Sequence, residues 1–292
     1  MKIEQKIGVV GNGFVGNAVQ FGFSQKVGCD AEVRVYDKDP SKSTHELEET
    51  INKSDLIYLS VPTPANEDGS INLDILTDAL SDIDKISEKD NYILIRSTVV
   101  PGTTRSLQEK FPKLNLLFNP EFLTERSANS DFISQGRFII GSGDSHKSAL
   151  GSELFVNLIR QRFGDCISIL ETTYETAEMI KYMSNCFFAT KVSFMNEMYQ
   201  IAKKCKINWK QAVDGFVADG RIGHSHLNVP GHDGKLGFGG SCFPKDVQAM
   251  RNFAESIGVN PSILAAVWRK NLEVRPEQDW KELKGRAVVD EE

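Results

Sequence analysis

The fold is decided by the stretch Lys6-Ile7-Gly8-Val9-Val10-Gly11-Asn12-Gly13-Phe14-Val15-Gly16, close to the start of the chain. Its apolar first half, through Val10, predicts a buried strand, and Asn17 to Phe23 continues with helical spacing. Glu32 to Asp37 predicts a second strand, which ends in an acid about 20 residues beyond the third glycine. This order of strand, glycine turn, helix, strand and acid predicts a dinucleotide-binding unit.

Each glycine of this turn has its own physical task. Gly11 allows the tight turn, Gly13 lets a pyrophosphate approach the backbone, and Gly16 lets the helix pack closely. The pyrophosphate would lie at the helix N-terminus, where free N–H groups favour anions. Asp37 would bind ribose hydroxyls and repel a 2′-phosphate, so NAD is predicted rather than NADP, although Lys38 weakens that preference. The glycine spacing alone would also fit a glycine-rich connector.

Further strands and helices alternate along the first half of the chain. Strands are predicted at 55–61, 91–97, 114–118 and 137–141, with helices such as 72–86 and 103–111 between them. The alternation predicts an α/β fold with a Rossmann-type, doubly wound parallel sheet over residues 1–170. Ligands bind such sheets at the carboxyl ends of the strands. The polar and proline-rich segments that follow the strands, among them Pro62 to Pro64, Thr98 and Glu121 to Glu125, are therefore expected at the site.

A second, mainly helical domain is predicted over 171–272. Residues 171–206 contain no proline or glycine and carry apolar residues at helical spacing, so they predict one long helix. Shorter helices are predicted at 209–218, 244–257 and 261–272. A helix this long buries a second face against a partner domain or a second subunit, so we expect a homodimer with the Arg221 loop near the neighbour's site.

Composition excludes several classes of partner. Lys plus Arg total 34 and Asp plus Glu total 40, giving a net charge of −6, and no basic run predicts nucleic-acid binding. No stretch approaches ~18 consecutive apolar residues, so no membrane span is predicted. The chain enters a strand at once, which predicts no signal peptide. The 5 cysteines form no CxxC pattern and the histidines no HExxH, which predicts no metal site and a reducing, cytoplasmic compartment.

The chemistry is concentrated in Gly237-Phe238-Gly239-Gly240-Ser241-Cys242-Phe243-Pro244-Lys245-Asp246. The Cys242 thiol becomes a nucleophile as a thiolate, which the positive charge of Lys245 would favour. Gly239 and Gly240 have no Cβ, so the backbone can come close to a bound molecule. Asp246 can accept a proton or orient a neighbour. Taken alone, the segment would rather indicate a glycine-rich surface turn followed by a helix with an inert cysteine, and the rest of the chain reverses that interpretation.

Six motifs together resemble the UDP-glucose/GDP-mannose dehydrogenase family, the nucleotide-sugar 6-dehydrogenases. They span nearly the whole chain in the family's order: Gly11 to Gly16, Val61 to Pro64, Ser97-Thr98-Val99, Asn119 to Glu125, Lys181-Tyr182-Met183-Ser184-Asn185, and Gly237 to Asp246. The resemblance implies a four-electron oxidation, in which a sugar CH₂OH becomes a carboxylate, two NAD are reduced and the aldehyde is not released.

The resemblance also implies roles for single residues. Cys242 would capture the aldehyde as a thiohemiacetal that is oxidised to a thioester, and Glu125 would activate the water that hydrolyses it. Lys181 and Asn185, four apart on one helix face, would hold the oxyanion. The implied catalytic set is Cys242, Lys181, Asn185, Glu125, Asp246 and Thr98. The implied cofactor contacts are Gly11, Gly13, Phe14, Val15, Gly16, Asp37, Lys38, Pro62, Thr63, Thr98, Glu125 and Lys245. The implied substrate contacts are Glu121, Phe122, Leu123, Lys181, Asn185, Arg221, Phe238, Gly239, Gly240 and Cys242.

Two of these motifs also have plain structural interpretations. Lys181 and Asn185 would fit a solvated surface couple on a helix. Asn119 as N-cap with Pro120 at the first helical position would begin an ordinary helix, with Glu121 in its first turn.

One departure from the family is large. Family members carry a third, C-terminal α/β domain that closes over the nucleotide diphosphate. Leu283 to Val289 resembles the start of that domain's first strand, so residues 273–292 are expected to be a tail that holds only this start.

Three functional hypotheses remain open on the sequence. The first is a nucleotide-sugar 6-dehydrogenase, with a UDP-glucose-like substrate. The second is a two-electron, hydroxyacid-type dehydrogenase, which would need no thiol. The third is a non-catalytic NAD-binding dimer module. The yield of NADH per substrate, two, one or none, distinguishes them.

Overall fold

The computed structural model describes residues 2–290. They form two compact units. The first comprises the residues up to Thr63 together with Leu73–Lys181, and the second comprises Pro64–Asn72 together with the residues from Tyr182 onward.

A seven-stranded sheet is the centre of the first unit, with the order β2-β1-β3-β4-β5-β6-β7. The strands are β1 (Ile7–Val10), β2 (Val33–Tyr36), β3 (Leu56–Leu59), β4 (Tyr92–Ile95), β5 (Asn115–Phe118), β6 (Arg137–Ser142) and β7 (Ser168–Thr173). Strands β1 to β5 are parallel, but β6 runs antiparallel to β5, with Phe118 opposite Gly141. The predicted parallel, doubly wound sheet is thus confirmed, with one antiparallel pair that the prediction did not include. Alternation of strands and helices does not fix the direction of each strand.

Helices cover both faces of the sheet. They are α1 (Phe14–Gly22), α2 (Leu47–Asn52), α3 (Asp74–Ile86), α4 (Thr103–Lys110), α5 (Ala128–Ser134) and α6 (His146–Phe163). On one face Val9 packs in a cluster with Val19 of α1 and Phe155 of α6. On the other face Ile57 packs in a cluster with Leu80 of α3. Strands buried on both sides read as continuous apolar runs, which is why the Rossmann-type, doubly wound fold could be predicted and is confirmed.

The long helix begins later than predicted. Residues 171–173 belong to β7, which pairs in parallel with β6, and helix α7 runs from Tyr174 to Lys204. The β-branched side chains of Thr172 and Thr173 suit a strand better than a first helical turn. The hydroxyl of Tyr174 donates to the carbonyl of Leu116 at 2.6 Å, which fixes the start of the helix against β5.

The second unit is mainly helical, as predicted. It contains the part of α7 from Tyr182 onward, followed by α8 (Trp209–Val217), α9 (Phe243–Ser256) and α10 (Ser262–Val274). Among the residues that the structure describes, no helix is both long and apolar enough to cross a bilayer.

Candidate active site

The glycine turn after β1 is built as the sequence predicts. Gly11 has a φ of 87°, in the left-handed region that favours glycine. A Cβ on Gly16 would collide with the carbonyl oxygen of Gly11, so only glycine lets α1 pack this closely. A Cβ on Gly13 would meet nothing within 4 Å, which leaves the backbone open to a ligand. These observations fit the pyrophosphate of a dinucleotide at the start of α1.

Asp37 stands immediately after β2 and faces this turn. One carboxylate oxygen accepts the backbone N–H of Asn12 at 2.6 Å, and the other accepts that of Asp39 at 2.9 Å. A cavity of about 120 Å³ is lined by Asp37 together with Gly11, Lys38 and Pro62. The structure therefore brings together, within the first unit, four of the residues expected at the cofactor.

Thr98 follows β4, and its loop is tied to the segment after β3. The hydroxyl of Thr63 donates to the carbonyl of Thr98 at 2.9 Å, and the hydroxyl of Ser97 donates to the carbonyl of Val61 at 2.6 Å. These bonds bring Thr63 and Thr98 together at the carboxyl ends of two neighbouring strands, where ligands of such sheets bind.

Lys181 and Glu121 form a buried ion pair. The Lys181 ammonium donates to a carboxylate oxygen of Glu121 at 2.7 Å and to its backbone carbonyl at 2.6 Å. Burial alone would raise the pKa of the Glu121 carboxyl, but the charge and hydrogen bond of Lys181 outweigh it and lower that pKa. Lys181 is 3% exposed and Asn185 7%, so their interpretation as a solvated surface couple is wrong.

The segment from Asn119 to Glu125 is not a helix start. The Asn119 side chain accepts from the guanidinium of Arg96 and donates to the carbonyl of Ile139 at 2.7 Å. It therefore links Arg96, the residue after β4, to β6 instead of capping a helix. A short 3₁₀ turn begins at Glu125, which is exposed, and α5 begins only at Ala128.

Two further predicted substrate contacts lie in this segment. The Arg137 guanidinium lies 4.6 Å from the ring centroid of Phe122, a cation–π contact. The backbone N–H of Leu123 donates to Glu121 at 2.7 Å, which helps to hold the carboxylate in place.

Asp246 joins two candidate site residues in the second unit. It is fully buried, and its carboxylate accepts from the Asn185 amide at 2.6 Å and from the Lys245 ammonium at 2.5 Å. The Lys245 ammonium, which the sequence analysis expects to favour the Cys242 thiolate, is thus paired with Asp246. Asn185 and Lys181 are one turn apart on α7, so this helix carries both residues of the predicted oxyanion pair.

Cys242 is the N-cap residue of α9 and is half-buried. The partial positive charge of a helix N-terminus favours a thiolate over a thiol. The Cys242 sulfur lies 3.8 Å from the hydroxyl of Ser241. The start of α9 is therefore a second source of positive charge for the thiolate, beside the Lys245 charge that the sequence predicts for this role.

The glycine-rich loop before Cys242 is shaped by two residues that sequence reasoning missed. Asn271 accepts the backbone N–H of Phe238 at 2.7 Å and donates to its carbonyl at 3.0 Å. A Cβ on Gly239 would collide with the buried guanidinium of Arg275. Both residues lie at the end of α10, in a segment whose sequence shows no motif, and only their three-dimensional contacts reveal the role.

Arg221 is the most exposed of the predicted site residues for which an ion pair is seen. Its guanidinium pairs with Asp219 two residues earlier, at 2.5 Å. Within residues 2–290, no cluster of three or more His, Cys, Asp or Glu side chains is arranged to hold a metal ion.

Comparisons with known proteins agree on one family. The model of the UDP-glucose/GDP-mannose dehydrogenase family NAD binding domain matches residues 41–159, and that of its central domain matches residues 175–273. A UDP-glucose 6-dehydrogenase of Rickettsia typhi is 36% identical over 244 residues, which cover 82% of this chain and 54% of the relative. The chain thus spans about half the length of the curated relatives it matches.

Solved structures share the fold. A UDP-glucose dehydrogenase from the archaeon Pyrobaculum islandicum has a TM-score of 0.79 at 28% identity, covering 92% of this chain and 68% of that one. A 3-hydroxyisobutyrate dehydrogenase of Mycobacterium tuberculosis has a TM-score of 0.72 and covers 94% of this chain and 95% of that one. It is 14% identical, so this second likeness concerns the fold alone.

Proposed function

Because the chain belongs to the UDP-glucose/GDP-mannose dehydrogenase family, we propose that it oxidises the primary alcohol of a nucleotide sugar to a carboxylate. The observation that carries the proposal is the arrangement around α9. Cys242 caps this helix, and the buried Asp246 four residues later binds both Lys245 and Asn185. A two-electron alcohol oxidation needs neither a thiol nor this network, whereas passage from aldehyde to acid needs a nucleophile held in place.

The oxidant would be NAD, bound by the domain that matches the family's NAD binding domain. NAD, when bound, accepts a hydride, and two NAD are needed to take an alcohol to an acid. The open backbone at Gly13 would hold the pyrophosphate, and Asp37 would hold the ribose of the adenosine half. Thr98, at the carboxyl end of β4, would lie towards the nicotinamide.

The covalent steps belong to Cys242. The alcohol loses a proton and a hydride and becomes an aldehyde, and the Cys242 thiolate then adds to the carbonyl carbon. The resulting thiohemiacetal loses a second hydride and a proton and becomes a thioester. Lys181 and Asn185 would stabilise the negative charge that develops on oxygen at each step.

Hydrolysis returns the thiolate. Glu125 would take a proton from water, the hydroxide would add to the thioester carbon, and the C–S bond would break with the electron pair leaving on sulfur. The exposed position of Glu125 is consistent with access to water. Glu121, paired with Lys181, would face the sugar.

The proposal is tested by counting NADH against substrate consumed. UDP-glucose, UDP-N-acetyl sugars and GDP-mannose are each supplied in limiting amount with excess NAD. We expect two NADH per sugar consumed for the true substrate and a uronic acid as product. One NADH per substrate would indicate a two-electron dehydrogenase, and no NADH with any sugar would indicate a binding module.

Asp37→Ala should weaken NAD binding and relax the discrimination against NADP. Removing a charged acceptor of two ribose hydroxyls costs roughly 1.5–3 kcal/mol, so the KM for NAD should rise roughly 10- to 100-fold. The matched change Lys38→Ala should move the cofactor preference the other way, further towards NAD. Equal turnover of the unchanged protein with NAD and NADP would exclude this role for Asp37.

We also propose a homodimer formed through α7. Its large apolar side chains Met183, Phe187 and Phe194 are 59%, 64% and 49% exposed and lie on one side of the helix, with Met179 and Ile201 along the same line. An exposed apolar stripe of this length is typical of an interface between proteins.

Sedimentation at micromolar concentration tests this dimer. We expect a dimer for the unchanged protein and a monomer for Phe187→Glu, because a charge in the apolar interface would lose its hydration. Lys203→Glu, a charge reversal on the opposite side of α7, should remain dimeric. A fully active monomer of the unchanged protein would contradict the proposal.

A further inference from the structure

Glu178 is a buried carboxylate that caps a helix far away in the sequence. It has no exposed surface, and its two oxygens accept the backbone N–H groups of Gly102 at 2.6 Å and Thr104 at 2.7 Å. These are among the first N–H groups of α4, which have no partner within their own helix. Gly102, the N-cap residue, has no side chain to satisfy them, and a residue 76 positions later does so.

The capped loop is the one that carries Thr98. It leaves β4 after Ile95 and enters α4 at Thr103, and its first half is tied to the segment after β3 by Ser97 and Thr98. Glu178 supplies the second attachment of this loop, at its other end. The loop is therefore attached at both ends, once to the segment after β3 and once to α7.

The same helix carries Lys181 three residues later. The Lys181 ammonium is in turn bound to Glu121 in the segment after β5. Within the first unit, α7 thus connects the loop of Thr98 to the ion pair of Lys181 and Glu121. Glu178 supplies this connection through its hydrogen bonds to the backbone N–H groups of Gly102 and Thr104.

We propose that Glu178 is a positioning residue for the oxidation. Its two hydrogen bonds hold the loop that carries Thr98 at a fixed position relative to Lys181. This inference rests on the proposed function, in which Thr98 lies towards the nicotinamide and Lys181 holds the oxyanion. Reacting groups must be placed to within a fraction of an ångström, so loss of one attachment of the loop lowers kcat more than it changes binding.

The charge of Glu178 makes this attachment sensitive to pH. Glu175 lies one turn earlier on α7 and is paired with Arg105 of α4, which also binds Asp144 after β6. The Lys181 ammonium forms its ion pair with Glu121. Burial is the largest effect, and the negative charge of Glu175 adds to it. Together they outweigh the hydrogen bonds from Thr104 and Gly102 and raise the pKa of Glu178 from 4.5 to about 7. The ionised carboxylate can accept at both oxygens, whereas the protonated acid must donate from one.

The raised pKa of Glu178 determines how the free energy of unfolding changes with pH. The folded protein holds the proton of Glu178 between pH 4.5 and about 7, where the unfolded chain has released it. Ionisation of Glu178 therefore lowers stability as pH rises through this window. The ionised carboxylate accepts hydrogen bonds from both N–H groups, so the loop is held most firmly above pH 7. In the same pH range the free energy of unfolding is lower.

Glu178→Gln tests the proposal with little change of shape. The amide can accept one N–H but presents its own N–H₂ to the other donor. We expect kcat for NADH formation to fall on the order of 10- to 100-fold, with the KM for NAD changed by less than about twofold. The rise of kcat through pH 7 in the unchanged protein should be absent in the variant. Glu175→Gln, which removes a charge from the same helix but neither of these two hydrogen bonds, should keep the kcat above pH 7. Its pH profile should move only towards lower pH, because the charge of Glu175 helps to raise the pKa of Glu178.

Hydrogen exchange tests the attachment of the loop by Glu178 without any measurement of enzyme activity. After correction for intrinsic rates, the amides of Gly102 and Thr104 should exchange faster in Glu178→Gln than in Glu175→Gln. If Glu178→Gln does not fold, the unchanged protein should still lose protection at these two amides, and not in α3, between pH 8 and pH 6. If the protein forms no NADH but shows this exchange pattern, the proposed function is wrong, whereas the attachment of the loop by Glu178 is supported. Unchanged kcat and pH profile in Glu178→Gln, or unchanged exchange at both amides, would overturn the inference.

Discussion

Cys242→Ser will stop formation of the carboxylate while part of the first hydride transfer survives. A serine hydroxyl is a far weaker nucleophile than a thiolate, so it captures the aldehyde much more slowly. Serine is also a far poorer leaving group, so hydrolysis of an ester is slower than hydrolysis of a thioester. Acid production should fall by several orders of magnitude, as it does when other covalent enzymes lose their nucleophile. The yield of NADH per sugar consumed should drop from two towards one, measured by absorbance with the products separated chromatographically.

Cys186→Ser is the matched control for this variant. Cys186 is a buried thiol on α7 whose sulfur lies 3.9 Å from the carbonyl of Asp246, and burial raises its pKa to about 12. It is therefore an inert thiol close to the same network, and its loss should leave the NADH yield at two. If Cys242→Ser makes acid at the rate of the unchanged protein, the covalent route is wrong.

Lys181→Met will both destabilise the protein and abolish most of its activity. It leaves the Glu121 carboxylate buried without its partner, which costs about 3–5 kcal/mol in free energy of unfolding. Removing an oxyanion donor should lower kcat by about 10²- to 10³-fold in addition. Chemical denaturation and steady-state kinetics at pH 7.5 measure the two effects separately.

The double variant Lys181→Met with Glu121→Gln separates stability from catalysis. It removes both charges, so most of the lost stability should return while kcat stays low. The lowered pKa of Glu121 adds a check on pH, because the contribution of the pair is present above pH 4.5 and is lost as the carboxylate protonates below it. A double variant that regains activity would show that Lys181 acts only through folding.

The glycine turn and the core of the sheet could be predicted because each rests on local sequence. Gly11 and Gly16 are positions that no other residue can fill, and Asp37 follows the second apolar run at the expected distance. These constraints act over a few residues, so periodicity and spacing express them directly. The same is true of the four-residue spacing of Lys181 and Asn185, which a helix turns into one shared face.

The edge of the sheet could not be predicted in this way. Strand β7 (Ser168–Thr173) is largely exposed, so no apolar run marks it, and its last residues read as part of the following helix. The direction of β6 depends on how the chain returns after β5, a choice that Phe118 and Gly141 reveal only once they are paired. The direction of β6 has no local signal, and the only local signal for the end of β7 is the pair of β-branched residues Thr172 and Thr173.

The contacts inside the site also exceed what the sequence can show. Glu178 reads as an ordinary polar residue of a helix, because its partners Gly102 and Thr104 lie more than 70 residues earlier. Asn271 and Arg275, which shape the loop before Cys242, likewise carry no motif. Resemblance to a family identifies residues that act on a substrate, but it does not identify the side chains that hold them in place.

The central claim is that a substrate carbon becomes covalently bound to Cys242, and intact mass spectrometry of Glu125→Gln tests it most directly. With the base removed, the thioester should form in the presence of NAD and UDP-glucose but hydrolyse slowly. We predict a protein mass increased by that of the bound sugar nucleotide, located to Cys242 by peptide mapping and absent when Cys242→Ser is added. Turnover of Glu125→Gln to acid with two NADH per sugar, and no such adduct at any time, would contradict the account.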